Sequence, residues 1–111
     1  MPAYAICHLE DVRIGPDILA YLQAIDATLE PHGGRFLVHG ATPEIVEGDW
    51  PGDLVIIAFA AMADARAWYR SPAYQAIASL RTDNARCRAM LVEGVAKDYR
   101  ATDVIARLVG G

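Results

Sequence analysis

The spacing of hydrophobic residues changes several times along this chain, and each change marks an element. Tyr4 to Leu9 (YAICHL) is a short run of β-compatible residues ending at Glu10-Asp11, which predicts a first strand. From Pro16 the period becomes helical: Ile18, Leu22, Ile25 and Leu29 recur three and four residues apart, with Asp17, Gln23, Asp26 and Glu30 on the other side. Pro16 suits the first turn of that helix, and Pro31 followed by Gly33-Gly34 stops it. Arg35 to His39 (RFLVH) predicts a second strand closed by Gly40. Ile45-Val46-Glu47 either extends that strand or forms a short arm, and Glu47 to Gly52 (EGDWPG) is a loop by its Gly, Asp and Pro content.

Asp53 to Ala60 (DLVIIAFA) shows no polar alternation at all, as expected of a central strand covered on both faces. A short helix over 63–70 follows, and Ser71-Pro72 interrupts it with a cap and a proline suited to a new first turn. Its second part runs from Pro72 to about Thr82, with Tyr74, Ile77, Ala78 and Arg81 on one face. Cys87 to Glu93 is a fourth strand ended by Gly94. The order βαββαβ predicts an α+β, ferredoxin-like domain over residues 1–95, a four-stranded antiparallel sheet with both helices on one face. Residues 96–111 form a tail in which Val104, Ile105 and Leu108 have the spacing of a short amphipathic helix.

That architecture leaves one sheet face without cover from its own chain. In the third strand the alternating sets Leu54/Ile56/Ala58 and Val55/Ile57/Phe59 are both apolar, and only one set can point at the helices. Burying five such side chains at roughly 1.5–3 kcal/mol each outweighs leaving them wet, and a second copy of the sheet is the simplest cover. A homodimer, with a higher oligomer left open, is therefore expected.

Composition agrees. Among 111 residues, 54% are hydrophobic and 22% charged, so polar cover is scarce for a domain of this size. The net charge is −4 and the ten Lys and Arg residues are scattered, which argues against nucleic acid as a ligand. No apolar stretch nears the roughly 18 residues needed to span a bilayer, and the opening MPAYAICHLED has no basic leader, so no membrane association and a cytoplasmic location are expected. Cys7 and Cys87 have no metal or redox spacing and read as small buried hydrophobes, free of a disulfide in that compartment.

The chemistry-bearing residues are Tyr4, His39, Glu47, Trp50, Trp68, Tyr69, Tyr74 and Arg81. Aromatic walls with a few ionisable groups are what a small-molecule pocket requires. His39 is the best candidate for proton transfer, since imidazole titrates near neutrality; the alternative is a solvated strand-end histidine. Arg81 has a planar fork suited to a carboxylate or enolate oxygen, or to a salt bridge with an acidic neighbour. Glu47 is a candidate general base, or a partner for Arg81, or a solvated loop residue. Trp50, Trp68 and Tyr69 are either ligand walls or packing residues. Ser71 is explained by capping, and His8 and His32 lack any partner at metal-ligand spacing, so no metal site is expected. Neither GxGxxG nor GxxxxGK[ST] occurs, and no cofactor is expected.

The strings PAYAI at residues 2–6, GGRFLV at 33–38, EGDWP at 47–51 and above all WYRSPAYQ at 68–75 followed by Arg81 carry a resemblance. Over about residues 2–95 the chain resembles the bacterial family known as domain of unknown function 1330, within the dimeric α/β-barrel superfamily. The resemblance implies a fold and a dimer, since the family has no common activity. The chain departs from the family pattern at His39, where Arg is usual, and at Ala58, where Glu is usual, so roles held by those side chains do not carry over. By analogy with the superfamily, the resemblance implies a cofactor-independent isomerase, lyase or monooxygenase-like enzyme on an aromatic or enolisable compound. The rival is a non-catalytic dimer that binds a metabolite or a protein partner.

Overall fold

The computed structural model describes residues 1–110. Strand β1 (Ala3–Glu10) is followed by α1 (Pro16–Leu29), β2 (Arg35–Val38), β3 (Asp53–Phe59), α2 (Met62–Arg70), α3 (Pro72–Thr82), β4 (Arg86–Glu93) and a terminal α4 (Ile105–Gly110). The strands form one antiparallel sheet in the order β2-β3-β1-β4, so the chain has the α+β ferredoxin-like architecture expected from its periodicity. β1 and β3 are central, β2 and β4 are edges. The second strand is one residue shorter than RFLVH suggests, and its ladder slips between Phe36 and Val38. Such a bulge ends regular pairing early and turns the chain beyond Val38 away from the ladder.

One face of the sheet packs on the helices. Ala3 and Ala5 of β1 and Ile57 and Phe59 of β3 form a core with Tyr21, Ile25 and Leu29 of α1, Ala65 and Trp68 of α2, and Tyr74 of α3. The buried stripe of α1 is Ile18, Tyr21, Ile25, Thr28 and Leu29, whereas Leu22 is 43% exposed. Three of the four expected positions are thus buried, and Tyr21 and Thr28 join them because they find hydrogen-bond partners inside. At the end of α1 and of the 3₁₀ turn Glu30–His32, the chain passes so close to the core that a side chain on Gly34 would strike Leu29 and Phe59.

The other face is bare. Ile6 stands opposite Ile56 on one side and Met90 on the other, and Tyr4 opposite Ala58 and Val92. Directly opposed residues share a face, so these form two largely apolar rows with no helix over them; Arg35 ends the second row opposite Ala58, which is itself buried. Residues 39–53 are exposed throughout, and no strand forms at Ile45-Val46-Glu47; they make an irregular arm that returns to the sheet through Gly52. Gly52 has φ 85° and any side chain there would collide with the Leu9 carbonyl. The tail folds into a 3₁₀ turn (Ala101–Val104) and α4, nearly all of it exposed. The radius of gyration is 15.9 Å, against about 13 Å for a compact chain of this length.

Ser71 separates α2 from α3 by serving both. Its hydroxyl donates to the Trp68 carbonyl at 2.7 Å and accepts from the Tyr74 amide at 3.2 Å, while Pro72 opens the second helix. This junction orients Trp68 and Tyr74 toward each other, with ring centroids 4.2 Å apart. Ser71→Ala is expected to lower stability by about 1 kcal/mol, seen as a fall of several degrees in melting temperature.

Candidate functional site

Between the helices and the sheet lies a cavity of about 340 Å³, lined almost wholly by apolar side chains. That volume falls at the small end of the roughly 300–1,000 Å³ typical of ligand pockets. His39, Trp68, Tyr69, Tyr74 and Arg81 all border it. His39 sits just past β2, its ring 4.7 Å from that of Phe36, and is exposed, as is Tyr69 on α2. Trp68, Tyr74 and Arg81 are buried.

Helical spacing places Tyr74 and Arg81, seven residues apart, on the inward face of α3. The Arg81 guanidinium donates to Tyr74 Oη at 3.1 Å and to Cys7 Sγ at 3.7 Å, and its centre lies 5.9 Å from the Tyr21 ring centroid. Tyr74 and Tyr21 share a hydrogen bond of 2.7 Å between their hydroxyls. No carboxylate pairs with Arg81: among the described residues the single ion pair within 4 Å joins His8 and Glu10. The salt-bridge alternative for Arg81 is therefore overturned.

Burial works to lower the Arg81 pKa, but coupling to Tyr74, Tyr21 and Cys7 outweighs it, so the net direction is upward and the group stays cationic. Burial also pushes the Tyr21 phenol up, reinforced by Tyr74 and opposed by Arg81. The Cys7 thiol is raised as well, chiefly by burial, with Arg81 pulling the other way. The site thus presents a fixed cation, a neutral Tyr21 phenol and a protonated thiol, with the Tyr74 hydroxyl bridging cation and phenol. Such a set can hold an anionic oxygen and donate hydrogen bonds to it; as a nucleophile Cys7 is poorly prepared.

Trp68 has its polar atom committed elsewhere. Its Nε1 donates to Thr28 Oγ1 at 3.0 Å, and the Thr28 hydroxyl in turn donates to the Ile25 carbonyl at 2.6 Å. The indole is therefore both core and cavity wall.

Three of the expected site residues lie elsewhere. Tyr4 is on the bare sheet face, in a separate depression with Arg35, Leu37 and Ala58, because alternation along β1 sends Ala3 and Ala5 inward. Glu47 and Trp50 are exposed in the arm, where no regular element carries them to the cavity. Trp50 instead packs edge-on against His8, ring centroids 5.3 Å apart, and His8 Nε2 bonds the Pro51 carbonyl. Glu47 is thus no partner of Arg81. Conversely Tyr21, Cys7 and Phe36 border the cavity without having been singled out. Tyr21 was open to discovery, since it stands three residues after Ile18 and four before Ile25 on the buried stripe.

Cys7 and Cys87 are free thiols on neighbouring strands. Among the described residues no group of three or more His, Cys, Asp or Glu side chains could hold a metal ion, and no helix is long and apolar enough to cross a membrane.

Solved structures share this fold at low sequence identity. A protein of unknown function from Rhodopseudomonas palustris is 16% identical, with 86% of this chain and 83% of that one covered and a TM-score of 0.61. SnoaB, a cofactor-independent oxygenase from Streptomyces nogalater, is 12% identical over 89% of this chain and 98% of its own, with a TM-score of 0.60. A dimeric ferredoxin-like protein of unknown function from a Jannaschia species is 14% identical over 85% of this chain and 100% of its own, with a TM-score of 0.56. No curated protein matches. Residues 2–95 match the family described as Domain of unknown function (DUF1330), and the chain belongs to that family.

Proposed function

We propose that the protein is a cytoplasmic homodimer whose helix-to-sheet cavity is the site of a cofactor-independent enzyme acting on an aromatic or enolisable small molecule. The observation that carries this reading is the gathering of His39, Tyr74 and Arg81 with aromatic walls around one apolar cavity. In that role His39 moves a proton at the rim, Arg81 steadies the oxygen on which negative charge develops, and Trp68, Tyr69 and Tyr74 bury the ligand body. Dimer formation is supported by the uncovered apolar rows of the sheet, and one protein of the same fold is itself described as dimeric. The fold shared with SnoaB raises the prospect of oxygenase-like chemistry by analogy alone.

A substrate screen tests it. Where turnover is found, His39→Ala is expected to reduce kcat by about 10²–10⁴-fold, and Arg81→Ala by a comparable factor. Unchanged rates in both variants would remove the catalytic assignment. A second reading, a non-catalytic binder, is favoured by the position of Glu47, which leaves His39 without a carboxylate companion at the cavity. Calorimetry and then recovery of the ligand separate the two, because a binder returns it unaltered.

A further inference from the structure

We infer that the cavity takes an aromatic monoanion, a flat apolar body bearing one carboxylate or enolate oxygen group that docks on Arg81. The inference rests on the small-molecule reading of the cavity and narrows it to a ligand class.

Arg81 is only 7% exposed, yet its side-chain hydrogen bonds go to the Tyr74 hydroxyl and the Cys7 thiol and none goes to a carboxylate. A buried cation is costly unless an opposite charge or a full set of acceptors compensates it. A guanidinium has five N–H donors in a fixed fork, matched to two oxygens of an anion. The face of Tyr21 and the two hydrogen bonds offset part of the cost. Nothing among the described residues supplies the missing charge, and Arg81 borders open cavity space. An anion arriving with the ligand completes the set.

The same surroundings set the charge and the body. Arg81 is joined by no Lys or second Arg at the cavity, so one negative charge is matched and a phosphate dianion is not. Phe36, Ile57, Trp68 and Tyr74 make the remaining wall apolar and largely aromatic, which suits one or two fused rings in about 340 Å³. With a net charge of −4 the protein as a whole does not attract anions, so selectivity for one must come from this single buried group.

Matched probes that differ only in charge test this on the full-length protein: 2-naphthoate against methyl 2-naphthoate, and benzoate against methyl benzoate, by titration calorimetry at neutral pH. The native protein is expected to bind an acid at least about tenfold tighter than its ester. Arg81→Met, checked for folding by its melting curve, is expected to lose that preference while keeping the ester within about threefold. Arg81→Lys, which keeps the charge without the fork, is expected to fall between. Esters bound as tightly as acids by the native protein overturn the inference and leave the small-molecule reading standing; the native comparison holds even if Arg81→Met fails to fold. Acid affinity untouched in a folded Arg81→Met variant overturns it too. Failure of all four probes to bind overturns the inference together with the reading on which it rests.

Discussion

Met90→Asp is expected to yield a folded single subunit at low micromolar concentration, where the proposed dimer would hold the native protein as a pair. Met90 lies at the end of the row Ile56-Ile6-Met90 that crosses the bare sheet face, and in one subunit it is 56% exposed. A carboxylate at that position therefore costs an isolated subunit no more than about 1 kcal/mol. In a pair joined face to face, each copy brings its own unpaired carboxylate into the seam. Desolvating them costs about 3 kcal/mol or more, over a hundredfold in the dissociation constant. Sedimentation velocity across a dilution series reads the shift, and circular dichroism reports whether the subunit is still folded. A native protein that sediments as one folded subunit at low micromolar concentration overturns the dimer. An unchanged dissociation constant in Met90→Asp places the seam elsewhere on the surface.

Trp68→Ala is expected to cost about 3–5 kcal/mol, much of the 5–15 kcal/mol that holds a domain of this size together. The indole is 3% exposed, lies 5.6 Å from the Phe59 ring and 4.2 Å from the Tyr74 ring, and donates to Thr28. Its removal opens a void at the meeting point of α1, α2, α3 and β3 and leaves Thr28 without a partner for its lone pair. At about 4 °C per kcal/mol the melting temperature should fall by 12 °C or more. Trp68→Phe keeps most of the ring volume and loses the hydrogen bond, so about 1–2 kcal/mol is expected. Thermal denaturation of both variants separates packing from hydrogen bonding. A loss below about 1 kcal/mol for the alanine variant would mean that the helix layer closes over the gap, and Trp68 would then be a cavity wall with little part in the core.

The two variants probe opposite faces of one sheet, and their legibility from sequence differs in kind. β3 showed its need for cover on both faces plainly, since both alternating sets of its LVIIAF run are apolar. A run that is apolar at every position has no polar side to give to water, so the need for cover on the far face is written into the residues themselves. Trp68 and Tyr74 were recognisable as aromatics in the WYRSPAYQ segment, but their mutual contact depends on the way Ser71 redirects the chain between α2 and α3. A cap and a proline announce that a break occurs. They do not say which rings meet across it.

The cavity shows where sequence reasoning ends. Arg81 and Tyr74 were paired by helical spacing, a relation set within two turns of one element, and it holds. Glu47 and Trp50 belong to an arm with no repeating pattern between Gly40 and Gly52, so no local rule states where the arm goes, and none of residues 40–52 borders the cavity. Tyr21 enters because it shares the buried stripe of α1 with Ile18 and Ile25, where its hydroxyl meets Tyr74 on α3, a partner that no spacing within α1 announces.

Local periodicity in the sequence thus determined the order of elements, the breaks between them and the apolar character of both sheet faces, because each depends on residues within a few positions of one another. Only the tertiary structure decided that Arg81 is buried beside two phenols and a thiol with no carboxylate in reach. The identity of a charge's neighbours is set by long-range packing, across as many as 74 positions between Arg81 and Cys7, and no period in the chain encodes it.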